Sequence, residues 1–147
     1  MYKHILIPTD GSPASLRAAK ARVELARATG ARVTAFFAAP APTPVVYDGL
    51  LPVAYMPPEQ HAEVIARAAS KFLGVIADLA KGAGVPCESV HVTSDFPAEA
   101  IIACARQRKC DLIFMASHGR RGLSGLLLGS ETQKVLTHSK IPVVVYR

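Results

Sequence analysis

Tryptophan is absent from the 147 residues, aromatic residues make up only 6%, and no two of the three cysteines form a CxxC pair. Cys87, Cys104 and Cys110 are odd in number, and no Cys/His cluster has zinc spacing. That excludes a disulfide framework and a zinc module, and reads as reduced thiols, with Cys104 on a buried helix face. Charged residues reach only 19% while half the chain is hydrophobic, which excludes a disordered polar chain. No apolar run approaches the roughly 20 residues that a membrane-spanning helix needs. The opening Met1-Tyr2-Lys3-His4 enters a strand-like run that breaks at Pro8, too early for a signal peptide. A cytoplasmic protein with no membrane partner is the expectation. The net charge is +6 and the pI about 9.5, yet the basic residues are scattered outside Arg106-Gln107-Arg108-Lys109. The four Tyr and five Phe do not interleave with them, so a solvated basic surface is expected and no nucleic-acid partner. Walker A and GxGxxG motifs are missing as well. No nucleophile stands beside a His and a carboxylate in sequence, so no catalytic residue is assigned.

What is present is an alternation of apolar runs and helical patterns within one domain spanning 1–147. His4 to Ile7 suits a strand buried on both faces. Ser12-Pro13 is a helix start, with a hydroxyl cap followed by proline at the first turn. Leu16, Ala19, Val23 and Ala26 face inward along that helix, Arg17, Lys20, Arg22 and Glu24 mostly outward, and Gly30 ends it. Residues 31–38 form the second strand. Residues 39–58 hold six prolines, so no regular element is expected there and the stretch reads as a lid or mobile segment. Its Val45, Val46, Tyr47, Leu50, Leu51 and Tyr55 should fold back onto the domain. A helix over 59–81 presents Val64, Ile65, Ala68, Phe72, Ile76 and Leu79 on one face. A strand over 89–92 follows, then a helix from Pro97 with Ile101, Ile102, Cys104 and Ala105 inward. A strand over 111–116, a helix over 130–138 and a strand over 141–146 complete the chain.

This β-α-β-α-β-α-β-α-β order predicts a three-layer α/β sandwich: a five-stranded parallel sheet with four helices, flavodoxin- or Rossmann-like. Such sheets bind ligands at the carboxyl ends of strands where strand order reverses. The stretch from Met115 to Ser130 lies at such an end, with four glycines and two arginines between strand and helix. A glycine-rich loop running into a helix N-terminus offers backbone donors and partial positive charge to an anion, most simply a phosphate. A flexible connection is the equal alternative. Asp10 accepts either from a ligand or from its own turn. Ser130 and Gln133 have capping-box spacing. His118 either bonds a phosphate or orients the loop, Arg120 and Arg121 either reach phosphate oxygens or are solvated, and Leu126, Leu127 and Leu128 pack the loop down.

The residues Ile5-Leu6-Ile7-Pro8-Thr9-Asp10-Gly11-Ser12, Ser117-His118-Gly119-Arg120-Arg121-Gly122, Leu128-Gly129-Ser130 and Ile141-Pro142-Val143-Val144-Val145 occur together at fixed spacings. In that combination the chain resembles the universal stress proteins along essentially its whole length. The resemblance implies strand order 3-2-1-4-5 and, in the ATP-binding branch, Gly-x-x-Gly, nine residues, then Gly-Ser or Gly-Thr. Gly119 and Gly129-Ser130 match, whereas the first glycine falls on Ala116, where a methyl group matters only if the backbone needs positive φ. By resemblance, Pro8, Thr9 and Asp10 sit beside adenosine and the Ala38 backbone meets the adenine edge. Met115, Ala116, Ser117, His118 and Gly119 would line ribose and phosphates, with Arg120 and Gly122 in the same loop, and Gly129, Ser130, Glu131 and Thr132 would hold the phosphate tail. Glu131 would repel a triphosphate, which Mg²⁺ would relieve. A stress-response regulator that binds ATP is implied, not an efficient enzyme. The alternatives are a member acting through protein contacts without nucleotide, and a slow ATPase or autophosphorylating protein with Ser130 or Thr132 as acceptor. A last strand rich in Ile141, Val143, Val144 and Val145 at a sheet edge calls for cover, and the family's habit is a homodimer through it.

Overall fold

The computed structural model describes residues 1–42, 46–54, 56–119 and 127–147. The elements are β1 (His4–Pro8), α1 (Pro13–Thr29), β2 (Arg32–Ala39), a hairpin of β3 (Val46–Asp48) and β4 (Leu51–Ala54), α2 (Pro58–Gly82), β5 (Cys87–Thr93), α3 (Pro97–Gln107), β6 (Leu112–Ala116), α4 (Ser130–His138) and β7 (Val143–Tyr146). Five strands form one parallel sheet in the order β5-β2-β1-β6-β7, which is 3-2-1-4-5 when only sheet strands are counted. Strand order reverses at β1, whose neighbours are β2 and β6.

Alternation along the strands feeds two cores. Ile5, Ile7, Val33, Phe37 and Phe114 pack with Val23, Ile65, Leu73 and Ile76 from α1 and α2. Leu6, Phe36, Ile113 and Met115 pack on the other face with Ile101, Ala105 and Val135 from α3 and α4. The start of α1 is as the sequence predicts: Ser12 Oγ accepts from the Ser15 N–H at 3.2 Å and Pro13 opens the first turn. Gly30 ends the helix at φ 69°, the left-handed conformation that glycine adopts without strain.

Four expectations are corrected. The proline-rich stretch does hold regular structure: β3 and β4 pair antiparallel, with Pro52 opposite Tyr47. A two-stranded hairpin consists of edges, where a missing N–H costs no ladder bond. Leu50 at its tip is 96% exposed and does not fold back, while Val45 and Tyr55 lie outside the described residues. On α2, Val64 is exposed, and the buried stripe is Ile65, Ala69, Leu73, Ile76 and Ala80. Arg22 is not an outer residue: its exposure is 0%.

The amino ends of the strands hold a separate polar cluster. His4, only 4% exposed, lies with Nε2 2.7 Å from Thr34 Oγ1, and the Thr34 hydroxyl donates to Glu88 Oε1 at 2.8 Å. With its proton committed to Glu88, Thr34 accepts from His4 Nε2–H, which leaves Nδ1 unprotonated. Nδ1 is buried without a hydrogen-bond partner among the described residues. Burial lowers the His4 pKa from 6.5, with Arg32 acting in the same direction and Glu88, the Arg108 carbonyl and Asp111 opposing. The unfolded chain therefore takes up a proton that the folded chain refuses as pH falls through 6.5. Urea melts are expected to show stability declining from pH 6.5 downward, and His4→Gln should flatten that window. An unchanged slope in the variant would assign the decline to other groups.

Candidate functional site

The carboxyl ends of β1 and β6 bring the Asp10 turn and the glycine loop together. At the first, Thr9 N–H donates to the Phe36 carbonyl at 2.8 Å, tying the turn to β2. Thr9 Oγ1 accepts from Gly11 N–H at 3.2 Å and from Ser15 Oγ–H at 3.0 Å. Asp10 Oδ1 accepts from Ser12 N–H at 2.9 Å, the Asx turn foreseen from sequence. Its other oxygen, Oδ2, lies where a side chain on Gly119 would begin. The two loops therefore touch, and Gly119 is glycine because the Asp10 carboxylate occupies the space.

In the second loop, Ser117 N–H donates to the Tyr146 carbonyl at 2.8 Å, and its hydroxyl lies 3.0 Å from His118 Nδ1. Gly129 N–H donates to the Ser117 carbonyl at 2.6 Å, which folds the chain back to the mouth of β6. A Cβ on Gly129 would stand 3.3 Å from both His118 Cα and Ser117 O. Its φ is −67°, so this glycine is required by close approach and not by backbone conformation. Ala116 ends β6 opposite Tyr146, and Lys109 is the non-glycine residue of positive φ among those described. Ala116, where the resemblance to the ATP-binding branch implies a glycine, therefore sits in ordinary strand conformation. The Thr132 hydroxyl donates to the Ala116 carbonyl at 3.0 Å and locks α4 onto the strand end.

The capping box is not formed. Gly129 is the N-cap, Ser130 is exposed in the first turn, and Gln133 Nε2–H donates to the Leu128 carbonyl at 3.1 Å. With glycine extended at the cap, the hydroxyl lies one residue too late to accept from the first turn. Both Glu131 oxygens are engaged: Oε2 accepts from Ala98 N–H at 3.0 Å, at the start of α3, and Oε1 accepts from Lys134 Nζ at 3.0 Å. Met115 is buried in the core beneath α3 and α4. Leu127 is exposed and Leu128 half-buried, while Arg120, Arg121, Gly122 and Leu126 lie outside the described residues. Ala38 is half-buried and pairs with Val92, so its backbone reaches the same sheet end as Pro8.

Two side chains pack against the Asp10 turn in contacts that were not read from sequence. Phe72 of α2 lies directly over Gly11, whose φ is +75°. The Phe72 ring also meets Phe37 edge-on, with centroids 5.4 Å apart. Arg22 lies beneath the turn, and its signal was present: it falls four residues from both Ala18 and Ala26 on the buried face of α1.

The strand order, the reversal at β1 and the contact between an acidic turn and a glycine loop define a doubly wound α/β domain with its candidate binding region at the carboxyl ends. The chain belongs to the universal stress protein family, whose pattern matches residues 1–147. A universal stress protein of Thermus aquaticus is 33% identical over the full length of both chains. Universal stress protein MJ0531 of Methanocaldococcus jannaschii is 32% identical, covering all of this chain and 83% of the relative. Among solved structures, the M. jannaschii protein MJ0577 superposes with a TM-score of 0.77 at 25% identity, covering 99% of this chain and 95% of that one. A universal stress protein solved in complex with cAMP gives a TM-score of 0.66 at 27% identity, covering 99% and 97% of the two chains.

Proposed function

We propose that this protein binds an adenine nucleotide, ATP foremost, across the Asp10 turn and the loop from Ser117 to Ser130, and acts as a stress-response regulator in the cytoplasm. The observation that carries the reading is the convergence of Asp10, Gly119 and Gly129 at one end of the sheet, where a side chain on Gly119 would meet the Asp10 carboxylate and one on Gly129 the Ser117–His118 backbone. Close-packed backbone at a helix N-terminus is what a phosphate needs, because N–H groups of the first turn have no intrahelical acceptor. The first intrahelical bond of α4 is made by Gln133 N–H to Gly129 O, so the amides of Ser130, Glu131 and Thr132 precede it. The cAMP complex of a relative at 27% identity supports an adenine ligand.

Asp10 would accept from a ribose hydroxyl or the adenine amino group, leaving the glycine loop and Ser130 for the phosphates. Mg²⁺, if bound, would be held chiefly by phosphate oxygens and water, as that ion commonly is. Glu131 opposes a triphosphate less than its charge implies, because Lys134 and the start of α3 already engage it. The exposed edge residues Val144 and Tyr146 of β7 support a homodimer through that strand. Nucleotide released on denaturation of the purified protein, together with calorimetric titration of ATP·Mg²⁺, tests the reading. Neither nucleotide in the extract nor heat at millimolar ATP would overturn it. A monomeric mass by light scattering at tens of micromolar would overturn the dimer.

A further inference from the structure

A fully buried arginine stands under the place where β1 and β6 part. The two strands pair at Ile5↔Leu112 and Leu6↔Ile113, and the ladder goes no further although β1 runs to Pro8 and β6 to Ala116. Pro8 has no N–H to continue it. At this gap the Arg22 guanidinium enters from α1. Nη1 donates to the Pro8 carbonyl at 2.9 Å and lies 3.5 Å from the Phe114 carbonyl, at the limit of a hydrogen bond. Nε donates to the Ala18 carbonyl at 3.2 Å, and Nη2 donates to the Ser15 carbonyl. The same Nη2 lies 3.4 Å from Ser15 Oγ, which in turn donates to Thr9 Oγ1. A continuous chain of polar contacts, buried as far as Thr9, therefore runs from Arg22 through Ser15 to Thr9 and on to the Gly11 N–H.

We infer that Arg22 is a positioning residue of the nucleotide site: its forked guanidinium supplies the donors that the split β1–β6 ladder lacks and so fixes the Thr9–Gly11 turn against the Ser117–Gly119 loop. This rests on the nucleotide reading above for its ligand and on the hydrogen bonds alone for its mechanics. A planar fork suits the task, because several donors reach separate carbonyls from one rigid group. Burial lowers the Arg22 pKa to about 10 while Asp10 raises it, so the side chain stays cationic at neutral pH. It thereby places a fixed positive charge behind a loop cluster that already carries the Asp10 carboxylate. An apolar residue of the same length would fill the space but leave the carbonyls of Pro8 and Ser15 without these donors.

Arg22→Met and Arg22→Lys test the inference by hydrogen exchange and by ATP titration, at a temperature where each variant is fully folded. In Arg22→Met the amides of Thr9, Gly11 and Ser12 should exchange at least roughly tenfold faster, while those of Arg32 and Asp111, bonded to Lys3 and His4 carbonyls at the other end of the strands, keep their protection. ATP affinity should fall at least roughly tenfold. Arg22→Lys, which keeps the charge and single donors but not the fork, should recover most of the global stability and only part of the turn protection. Protection lost equally at both strand ends, or turn amides unchanged from the parent, would overturn the inference. Should Arg22→Met not fold, the lysine variant alone decides, and turn amides as protected as in the parent would count against the fork. If the parent chain binds no nucleotide, the functional reading falls, and the exchange comparison still decides the clamp.

Discussion

Gly129→Val is expected to weaken nucleotide binding at least roughly a hundredfold while the protein remains folded. The nearest atoms to a side chain there are backbone, His118 Cα and Ser117 O, both 3.3 Å from the first added carbon. Backbone cannot rotate aside as a side-chain tip can. A single methyl in Gly129→Ala requires a shift of a few tenths of an ångström; the branched valine requires the 117–119 segment to leave the start of α4. The Gly129 N–H bond to the Ser117 carbonyl, 2.6 Å long, is then the first contact broken. Two or three amides facing a phosphate would be displaced, each worth about 1.5–3 kcal/mol as a hydrogen bond to a charged group. That converts to a loss of at least roughly a hundredfold in affinity, read by calorimetry with ATP·Mg²⁺. Alanine at the same position should give an intermediate loss. Binding that survives valine unchanged would move the site away from this loop.

Gly11→Ala is expected to be among the most destabilising single-methyl additions in the chain. Its φ of +75° disfavours any side chain, at about 1–2 kcal/mol for the left-handed conformation. The added carbon would also fall on the Phe72 ring, and overpacking of this kind adds about 1–3 kcal/mol. Gly30→Ala is the control: φ is +69°, and nothing lies within 4 Å of the added carbon. Chemical denaturation should therefore rank Gly11→Ala well below Gly30→Ala. The difference reports the ring, because the backbone cost is nearly common to both. Adding Phe72→Ala to Gly11→Ala should cost less than the sum of the two single changes. Equal stabilities for the two alanine variants would mean that the Phe72 ring moves aside freely.

These expectations show where local rules sufficed and where they stopped. Ser12-Pro13 announced α1 because a hydroxyl cap and a proline at the first turn act within a few residues. The sheet was legible because apolar runs separated by helical periods allow few arrangements, and right-handed crossovers remove most of those. Position 22 misled because arginine is read as polar and hence outward, although its spacing from Ala18 and Ala26 placed it inward. Charge and periodicity disagreed there, and periodicity prevailed because the split between β1 and β6 supplies carbonyls that lie far apart in sequence. The capping box failed for a related reason. Ser130 and Gln133 have its spacing, but Gly129 is drawn onto Ser117 and takes the cap position itself.

By itself the sequence determined the helices and the five strands of the parallel sheet, though not the β3–β4 hairpin, and the family, because each rests on local periodicity or on motifs read in order. It also marked Asp10, Gly119 and Gly129 without saying why those residue types stand there. Tertiary structure decided that: the Asp10 carboxylate occupies the side-chain space of Gly119, and the Ser117–Gly119 backbone occupies that of Gly129. It also turned Glu131 towards α3 and brought Arg22 beneath Pro8. Each of these depends on a distance between segments remote in the chain, and only packing fixes such distances.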